Sequence, residues 1–408
     1  MKEVRCYEDV IKIAKESSVV IWGAGNIGTE LIYELNLAGF SDYYVSDIEY
    51  KSYIKNYIFP EDIFKVTGHN LISIIIAVKS DKATSDIKVK IYSLLHDADE
   101  YYTVEIYRYI QETVEEIIAR REARGFFNGH TYIHALEDDD AVNALIDMIK
   151  GSTPFLFSRW GIVEGDSIYK MRAGRYLLPE DCMHLKQWSG VFPVTERVLK
   201  KYSKIMENAA REIDILCAFY WHRHLEKLIE WYSPNAVITS SVLEYPFFDN
   251  PWTKALEGMR VLVIHPFAEL ITKQYKRRDK LFANTDVLPE FDLITYKAVQ
   301  SLGGSDAYRD WVEALYTMQD EISKIDFDIA LIGCGAYGMP LGAFIKSQMH
   351  KKAIHMGGSL QILFGIKGKR WESEGYNYHN VLYNEYWVRP TDDLKPQNYK
   401  AVEDGCYW

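Results

Sequence analysis

The sequence predicts an α/β protein built from two doubly wound domains, each around a mainly parallel sheet. Three observations carry that prediction. The chain has 408 residues, too many for one ordinary small domain. Apolar runs alternate with helix-period segments, as in parallel sheets covered by helices on both faces. Twice, in "VVIWGAGNIGTEL" and in "ALIGCGAYGMPL", an apolar run feeds Gly-x-Gly-x-x-Gly and then a helical pattern.

The first domain, residues 1–125, opens with the buried strand "VVIWG". A helix follows over Asn26–Leu37, with Ile27, Leu31, Ile32 and Leu35 at helical spacing. "DYYVSD" and "LISIIIAV" read as further strands, and helical patterns are expected over Lys82–Leu95 and Tyr107–Arg121. The charged, glycine-containing "ARREARGFFNGHTY" breaks the pattern and places a boundary near residue 125. The second domain, residues 126–408, offers strands at Phe155–Ser158, Ile213–Ala218, Val237–Ser240, Val261–His265, Leu293–Tyr296, Ile329–Gly333 and Ala353–Met356. Helical patterns intervene at Val194–Arg211, Pro266–Phe282, Tyr308–Ile325 and Pro340–Met349, and the tail after Trp371 reads as irregular.

Composition narrows the function. Hydrophobic residues make up 48% and aromatic residues 14%, enough for buried cores and against global disorder. A formal charge of −11 argues against nucleic acid as a partner, because phosphate binding needs excess Lys and Arg. The five cysteines (Cys6, Cys182, Cys217, Cys334, Cys406) form no Cys-x-x-Cys, which removes a structural zinc site and a disulfide framework. There is no secretory apolar core and no transmembrane segment. The longest uncharged run, Ile329–Ile345, is broken by glycines and Pro340. The chain reads as cytoplasmic, with a peripheral position at the inner membrane face compatible, as is a homo-oligomer.

Gly23, Gly25 and Gly28 follow a strand and open a helix, the context in which a backbone turn approaches a phosphate. Asp47 ends the next strand, where a carboxylate holds a ribose diol. NAD(P) or another nucleotide is the expected ligand of this Rossmann-like module, and a pure assembly role is the alternative. At the second motif (Gly333, Gly335, Gly338, with Tyr337 inside it) the next strand ends in His355, Gly357 and Gly358, with no carboxylate for a ribose. The glycine turn, the Gly357–Gly358 pair and the cations Lys367, Lys369 and Arg370 suit a diphosphate instead. His265 ends a strand at the carboxyl edge, where open parallel sheets bind ligands, and is a candidate for proton transfer. Gln361 lies close enough in sequence to touch a base or sugar. His222 and His224, two apart, would not share a helix face.

"RVLVIHPFAELITKQYKRR", "DIALIGCGAYGMPLGAFIKSQMHKKAIHMGGSLQILFGIKGKRW" and "NEYWVRP…EDGCYW" resemble a bacterial family of polysaccharide and surface-glycan biosynthesis. The C-terminal region of that family is similar to the GT-D glycosyltransferase fold, and the resemblance spans roughly residues 130–408. It implies an Arg-aromatic-Gly-Asp-x-Glu segment serving a metal and a nucleotide-sugar. Here that segment is "FSRWGIVEGDS": Arg159, Trp160, Gly161 and Glu164 match, while Ile162 occupies the Asp position. Read from its residues, an extended backbone would put Glu164 and Asp166 on one face, able to share Mn²⁺ or Mg²⁺ with a diphosphate. Glu164 acting without metal is the other reading. Together these observations imply a glycosyltransferase. It would take a nucleotide-sugar donor and a glycan or lipid-linked acceptor, with Glu164, Asp166 and His265 as catalytic candidates. An NAD(P)-dependent oxidoreductase or epimerase acting on a nucleotide-sugar, or a non-catalytic nucleotide-binding assembly protein, are the alternatives.

Overall fold

A computed structural model describes residues 1–49, 54, 56–66, 71–96, 98, 102–113, 116, 134–135, 138–174, 177–219, 222–240, 250–302, 307–372, 378–396, 399–402 and 404–408. The chain forms two compact units, Met1–Glu116 with Arg172–Arg175, and Ile117–Met171 with Tyr176–Trp408. The boundary expected near residue 125 lies outside the described residues.

The first unit runs β1 (Lys2–Val4), α1 (Tyr7–Ala14), β2 (Ser18–Trp22), α2 (Asn26–Leu37), β3 (Tyr44–Ser46), α3 (Ile63–Val66), β4 (Leu71–Ile76), α4 (Asp81–His96) and β5 (Thr103–Tyr109). Its five strands are all parallel, in the order β1-β5-β4-β2-β3. The helix expected from Tyr107 is corrected here: Tyr107–Tyr109 belong to β5, paired between β1 and β4. Read at period two, the segment makes sense. Val104 and Ile106 pack into one face of the sheet, and Tyr107 and Tyr109 into the other. Of the rest of that expected helix, residues 114–121 other than Glu116 are outside the described set.

The second unit runs β6 (His134–Ala135), α5 (Asp138–Lys150), β7 (Leu156–Arg159), α6 (Ile162–Arg172), α7 (Pro179–His184), α8 (Glu196–Arg211), β8 (Ile215–Ala218), α9 (Leu225–Tyr232) and β9 (Val237–Ser240). It continues with β10 (Arg260–His265), α10 (Ala268–Tyr275), β11 (Asp292–Lys297), α11 (Trp311–Ile322), β12 (Ile329–Ile332), α12 (Gly338–Ser347), β13 (Lys352–His355), α13 (Ser359–Leu363) and α14 (Tyr378–Val381). Seven strands form a parallel sheet in the order β11-β10-β12-β13-β7-β8-β9, and two-residue β6 extends it beyond β9. Neither sheet closes into a barrel. All seven strands expected in this region form.

Both faces of this sheet are covered, and alternate residues go to opposite cores. Leu156, Leu216, Leu262, Ile264, Ala330 and Ile332 pack into one cluster. Phe157, Ile215, Val261, Val263, Ile329 and Leu331 pack into the other. Each such aliphatic side chain contributes about 1.5–3 kcal/mol by leaving water. After Trp371, where irregular chain is expected, the described residues hold the four-residue helix α14 and otherwise turns and 3-10 segments, and they are packed down: Trp387 and Trp408 are buried in the second cluster together with Trp371.

Strand order sets the location of a site. β10 connects outward to β11, whereas β12 connects the other way to β13. Between the carboxyl ends of β10 and β12 the chain direction across the sheet therefore reverses, which opens a crevice there. Among the described residues no helix is long and apolar enough to cross a membrane.

Candidate functional site

At that crevice the second unit encloses a cavity of about 450 Å³. The carboxyl ends of four adjacent strands line it in order: His265 ending β10, Gly333 after β12, His355 ending β13 and Arg159 ending β7. The amino ends of α6 and of the turn entering α12 close in from the loops. First-turn amides of a helix lack intrahelical acceptors and favour an anion nearby.

Four of the charged or titratable groups, Glu164, Arg159, His355 and His265, are seated on glycines. A Cβ on Gly161 would lie 2.0 Å from a Glu164 carboxylate oxygen. Burial pushes the Glu164 carboxyl above its ordinary range, against the pull of its own amide, the Arg159 guanidinium and the Ser189 hydroxyl. Gly357 has φ +66, and a Cβ there would lie 2.4 Å from Arg159 Nη2. That guanidinium also sits over the Phe219 ring, 4.9 Å from its centre. A Cβ on Gly338 would strike His355 Nε2, while His355 Nδ1 lies 2.9 Å from the Ser158 hydroxyl. A Cβ on Gly333 would lie 2.5 Å from the Gly357 carbonyl oxygen and 2.9 Å from the His265 ring.

Both histidines are buried and neutral at pH 7. Burial pushes His265 down to about 3, and burial together with Arg159 does the same to His355. His265 Nδ1 accepts the Phe267 N–H at 3.0 Å, so its proton sits on Nε2. Neither ring supplies positive charge. Each can hydrogen-bond a ligand without changing charge near neutrality.

The structure brings most of the sequence-predicted second-unit residues to this cavity: Arg159, Gly161, Glu164, His265, Gly333, Gly335, Tyr337, His355, Gly357, Gly358, Gln361 and Arg370 line it. Several of them are braces. The Tyr337 ring stacks on Trp311 at 5.2 Å, and its hydroxyl meets Ser301 Oγ at 3.0 Å. The Gln361 amide donates to the carbonyls of Ile366, Lys367 and Tyr407 at 3.4, 3.3 and 3.1 Å. Gly335, with φ +60, is the one glycine of its motif whose missing side chain meets nothing closer than 3.3 Å.

Three expectations are corrected. Glu164 and Asp166 do not share a face, because the segment is helix α6 rather than extended chain. At about 100° per residue they point roughly 200° apart. Asp166 instead faces His222 Nδ1 at 4.0 Å and His224 Nε2 at 3.9 Å. Those two histidines precede α9 in a turn, so they converge where a helix would have separated them. Lys367 and Lys369 turn away from the cavity: Lys367 Nζ lies over the Tyr383 ring, and Lys369 donates to the Asp404 carbonyl at 3.0 Å. Only Arg370 of that cluster faces in, its guanidinium 4.7 Å over the Tyr407 ring.

Among the described residues the donor set does not fit a hard divalent cation: Glu164 is the single carboxylate they bring to the lining, opposed by two guanidiniums. Among the described residues no group of three or more His, Cys, Asp or Glu is arranged for a metal. The balance favours an anion.

Sequence reasoning missed Trp188, Phe219, the Val299–Leu302 loop, Tyr407 and Trp408, all in the cavity wall. Phe219 follows β8 and the Val299 loop follows β11. The rule that ligands bind beyond strand carboxyl ends would have found those two. No local signal marks Trp188, Tyr407 or Trp408.

In the first unit, Gly23 takes φ +115, and a Cβ on Gly28 would lie 1.7 Å from the Gly23 carbonyl oxygen. Above Gly25 the space is open. Asp47 accepts the Ala24 N–H and, at 3.1 Å, the Glu49 N–H, so its carboxylate lies against the glycine loop.

No protein-family model and no curated protein matches the chain. Among solved structures it is similar to the selenomethionine-substituted structure of a domain of unknown function, DUF1792. The two share 12% identity at a TM-score of 0.35, over 68% of this chain and 99% of that one. A likeness that distant carries no argument about activity.

Proposed function

We propose that the second unit is a glycosyltransferase that takes a nucleoside diphosphate-sugar in the cavity beyond β10, β12, β13 and β7. The observation that carries this reading is the convergence of Arg159, Arg370 and the Gly335 turn with one buried carboxylate, Glu164, in a single cavity. Sugar transfer needs two things of such a site. The departing nucleoside diphosphate gains negative charge, which guanidiniums and helix-start amides stabilise when already in place. The sugar needs acceptors and donors for its hydroxyls, and Glu164, His265 and His355 supply them. Trp188, stacked on His184 by one face, is an aromatic ring of the wall of the kind a nucleobase stacks on. The acceptor is a glycan or lipid-linked sugar, as the family resemblance implies.

The test is a thermal-shift series with UDP- and GDP-sugars, followed by an assay of nucleoside diphosphate release with candidate acceptors. A shift lost in Arg159→Met, with release that requires an acceptor, supports the reading. A protein indifferent to every donor ends it.

One observation favours a second reading, an NAD(P)-dependent enzyme acting on a nucleotide-sugar through the first unit. Asp47 lies against the Gly23–Gly28 loop, where a ribose carboxylate belongs, and Gly25 opens onto empty space. Stabilisation by NAD(P) and hydride-transfer absorbance changes with nucleotide-sugars would favour it. Stabilisation by ligand without any turnover would instead support a nucleotide-binding assembly role.

A further inference from the structure

This inference rests on the reading above, that the cavity holds a nucleoside diphosphate-sugar, and concerns what neutralises the diphosphate. We propose that Arg159 and Arg370 form a two-armed guanidinium clamp on the diphosphate, seated by the Gly357–Gly358 pair, and that this clamp takes the place of a divalent cation.

The argument begins with the carboxylates. A hard cation bridging a diphosphate takes several oxygens from the protein or water, commonly from carboxylates. The position that the resemblance assigns to an Asp is Ile162, at the start of α6. Asp166 points to the other side of that helix, toward His222 and His224. Among the described lining residues that leaves Glu164 as the one carboxylate, folded onto Gly161.

The cations are built in the opposite way. Arg159 ends β7 and is fixed on two sides, by the Phe219 ring at 4.9 Å and by Gly357, which has no room for a Cβ. Arg370 lies over the Tyr407 ring at 4.7 Å, with Nη2 3.4 Å from Cys406 Sγ. The Tyr407 ring in turn rests on Gly358, where a Cβ would meet it at 2.6 Å. One dipeptide therefore seats both guanidiniums, Arg159 directly and Arg370 through Tyr407. That dipeptide is tied to β12, since Met356 and Gly357 donate to the Ile332 carbonyl at 2.9 and 3.2 Å. Guanidiniums bind phosphate oxygens in pairs, and held rigid they lose little entropy in doing so. Gly357, Gly358 and Tyr407 are positioning residues in this scheme.

The test is calorimetric titration of the full chain with UDP, GDP, ADP and dTDP, each in EDTA and in Mn²⁺. The expected result is that at least one diphosphate binds in EDTA with the Kd it shows in Mn²⁺. Arg159→Met and Arg370→Met should each weaken that binding about tenfold or more. Tyr407→Phe should keep the affinity and Tyr407→Leu should lose it, with urea midpoints showing that each variant folds. Binding that appears only in Mn²⁺ and ignores both arginine variants would overturn the clamp while leaving the proposed activity standing. Failure of every diphosphate in both buffers would remove the proposed activity, and the clamp with it.

Discussion

Gly357 and Arg159 occupy each other's space: a Cβ on the glycine would stand 2.4 Å from the terminal nitrogen of the arginine. Because Gly357 also has φ +66, two separate penalties attach to Gly357→Ala. The backbone penalty is about 1–2 kcal/mol for a non-glycine residue in the left-handed region. Gly258 has φ +73 and nothing within 4 Å, so Gly258→Ala carries that penalty alone. Urea denaturation should show Gly357→Ala as the more destabilised of the two. Only Gly357→Ala should also weaken nucleoside diphosphate binding, because only there must a guanidinium move. Equal losses in the two variants would show that Arg159 yields freely.

Glu164 predicts a pH dependence with a definite sign. Its folded-state pKa is raised by burial, so the folded protein holds a proton that the unfolded chain has released. Stability should therefore fall as pH rises from the ordinary glutamate value toward the raised one. Glu164→Gln removes that slope. Denaturation midpoints measured from pH 4.5 to 8 should show the wild type losing ground to Glu164→Gln as pH increases.

The two cavity histidines act in the opposite window. Both are depressed to about 3 in the folded protein, so the unfolded chain binds protons first as pH drops below 6.5. Stability present at pH 7 should be lost on acidification, by about 1.4 kcal/mol per pH unit for each fully titrating histidine. His265→Asn and His355→Asn should each flatten the acid limb between pH 6 and 4.5. An unchanged limb in both would mean that these rings are not held neutral.

In the first unit, Gly25 and Gly28 should behave differently although they share one motif. Gly25 caps α2 and faces open space. Asp is a favoured cap residue, so Gly25→Asp should keep or raise the melting temperature while repelling a phosphate. Gly28→Ala should cost about 1–3 kcal/mol, because its Cβ would collide with the Gly23 carbonyl oxygen. Thermal melts with and without NAD(P) separate the two effects.

The strands were legible because β-branched and aliphatic runs in a doubly covered sheet need no partner to be recognised. The seven runs in the second unit each became a strand within a few residues of the expected ends. β5 was misread because Val104, Ile106, Tyr107 and Tyr109 serve both faces of a sheet. In the sequence Tyr107, Ile110, Val114, Ile117 and Ile118 also stand at helical spacing. The site was legible as a set of residue types and illegible as an arrangement. Gly333, Gly338 and Gly357 read as places where a ligand approaches the backbone, yet each is filled by the protein's own groups. Which side chain occupies a glycine's space depends on strand order, and no local spacing encodes strand order. The same holds for Lys367 and Lys369: their neighbours in sequence are basic, but the groups that draw them away, Tyr383 and Asp404, come from distant tail segments.

Ser158 and His355 meet across 197 positions of chain, and Arg370 is steadied by residues further on still. A ribosome that has released β7 and α6 has already made Arg159 and Glu164, but no nest for them exists yet. A chain cut short before Tyr407 would therefore lack the ring that Arg370 lies over and part of the wall of that cavity.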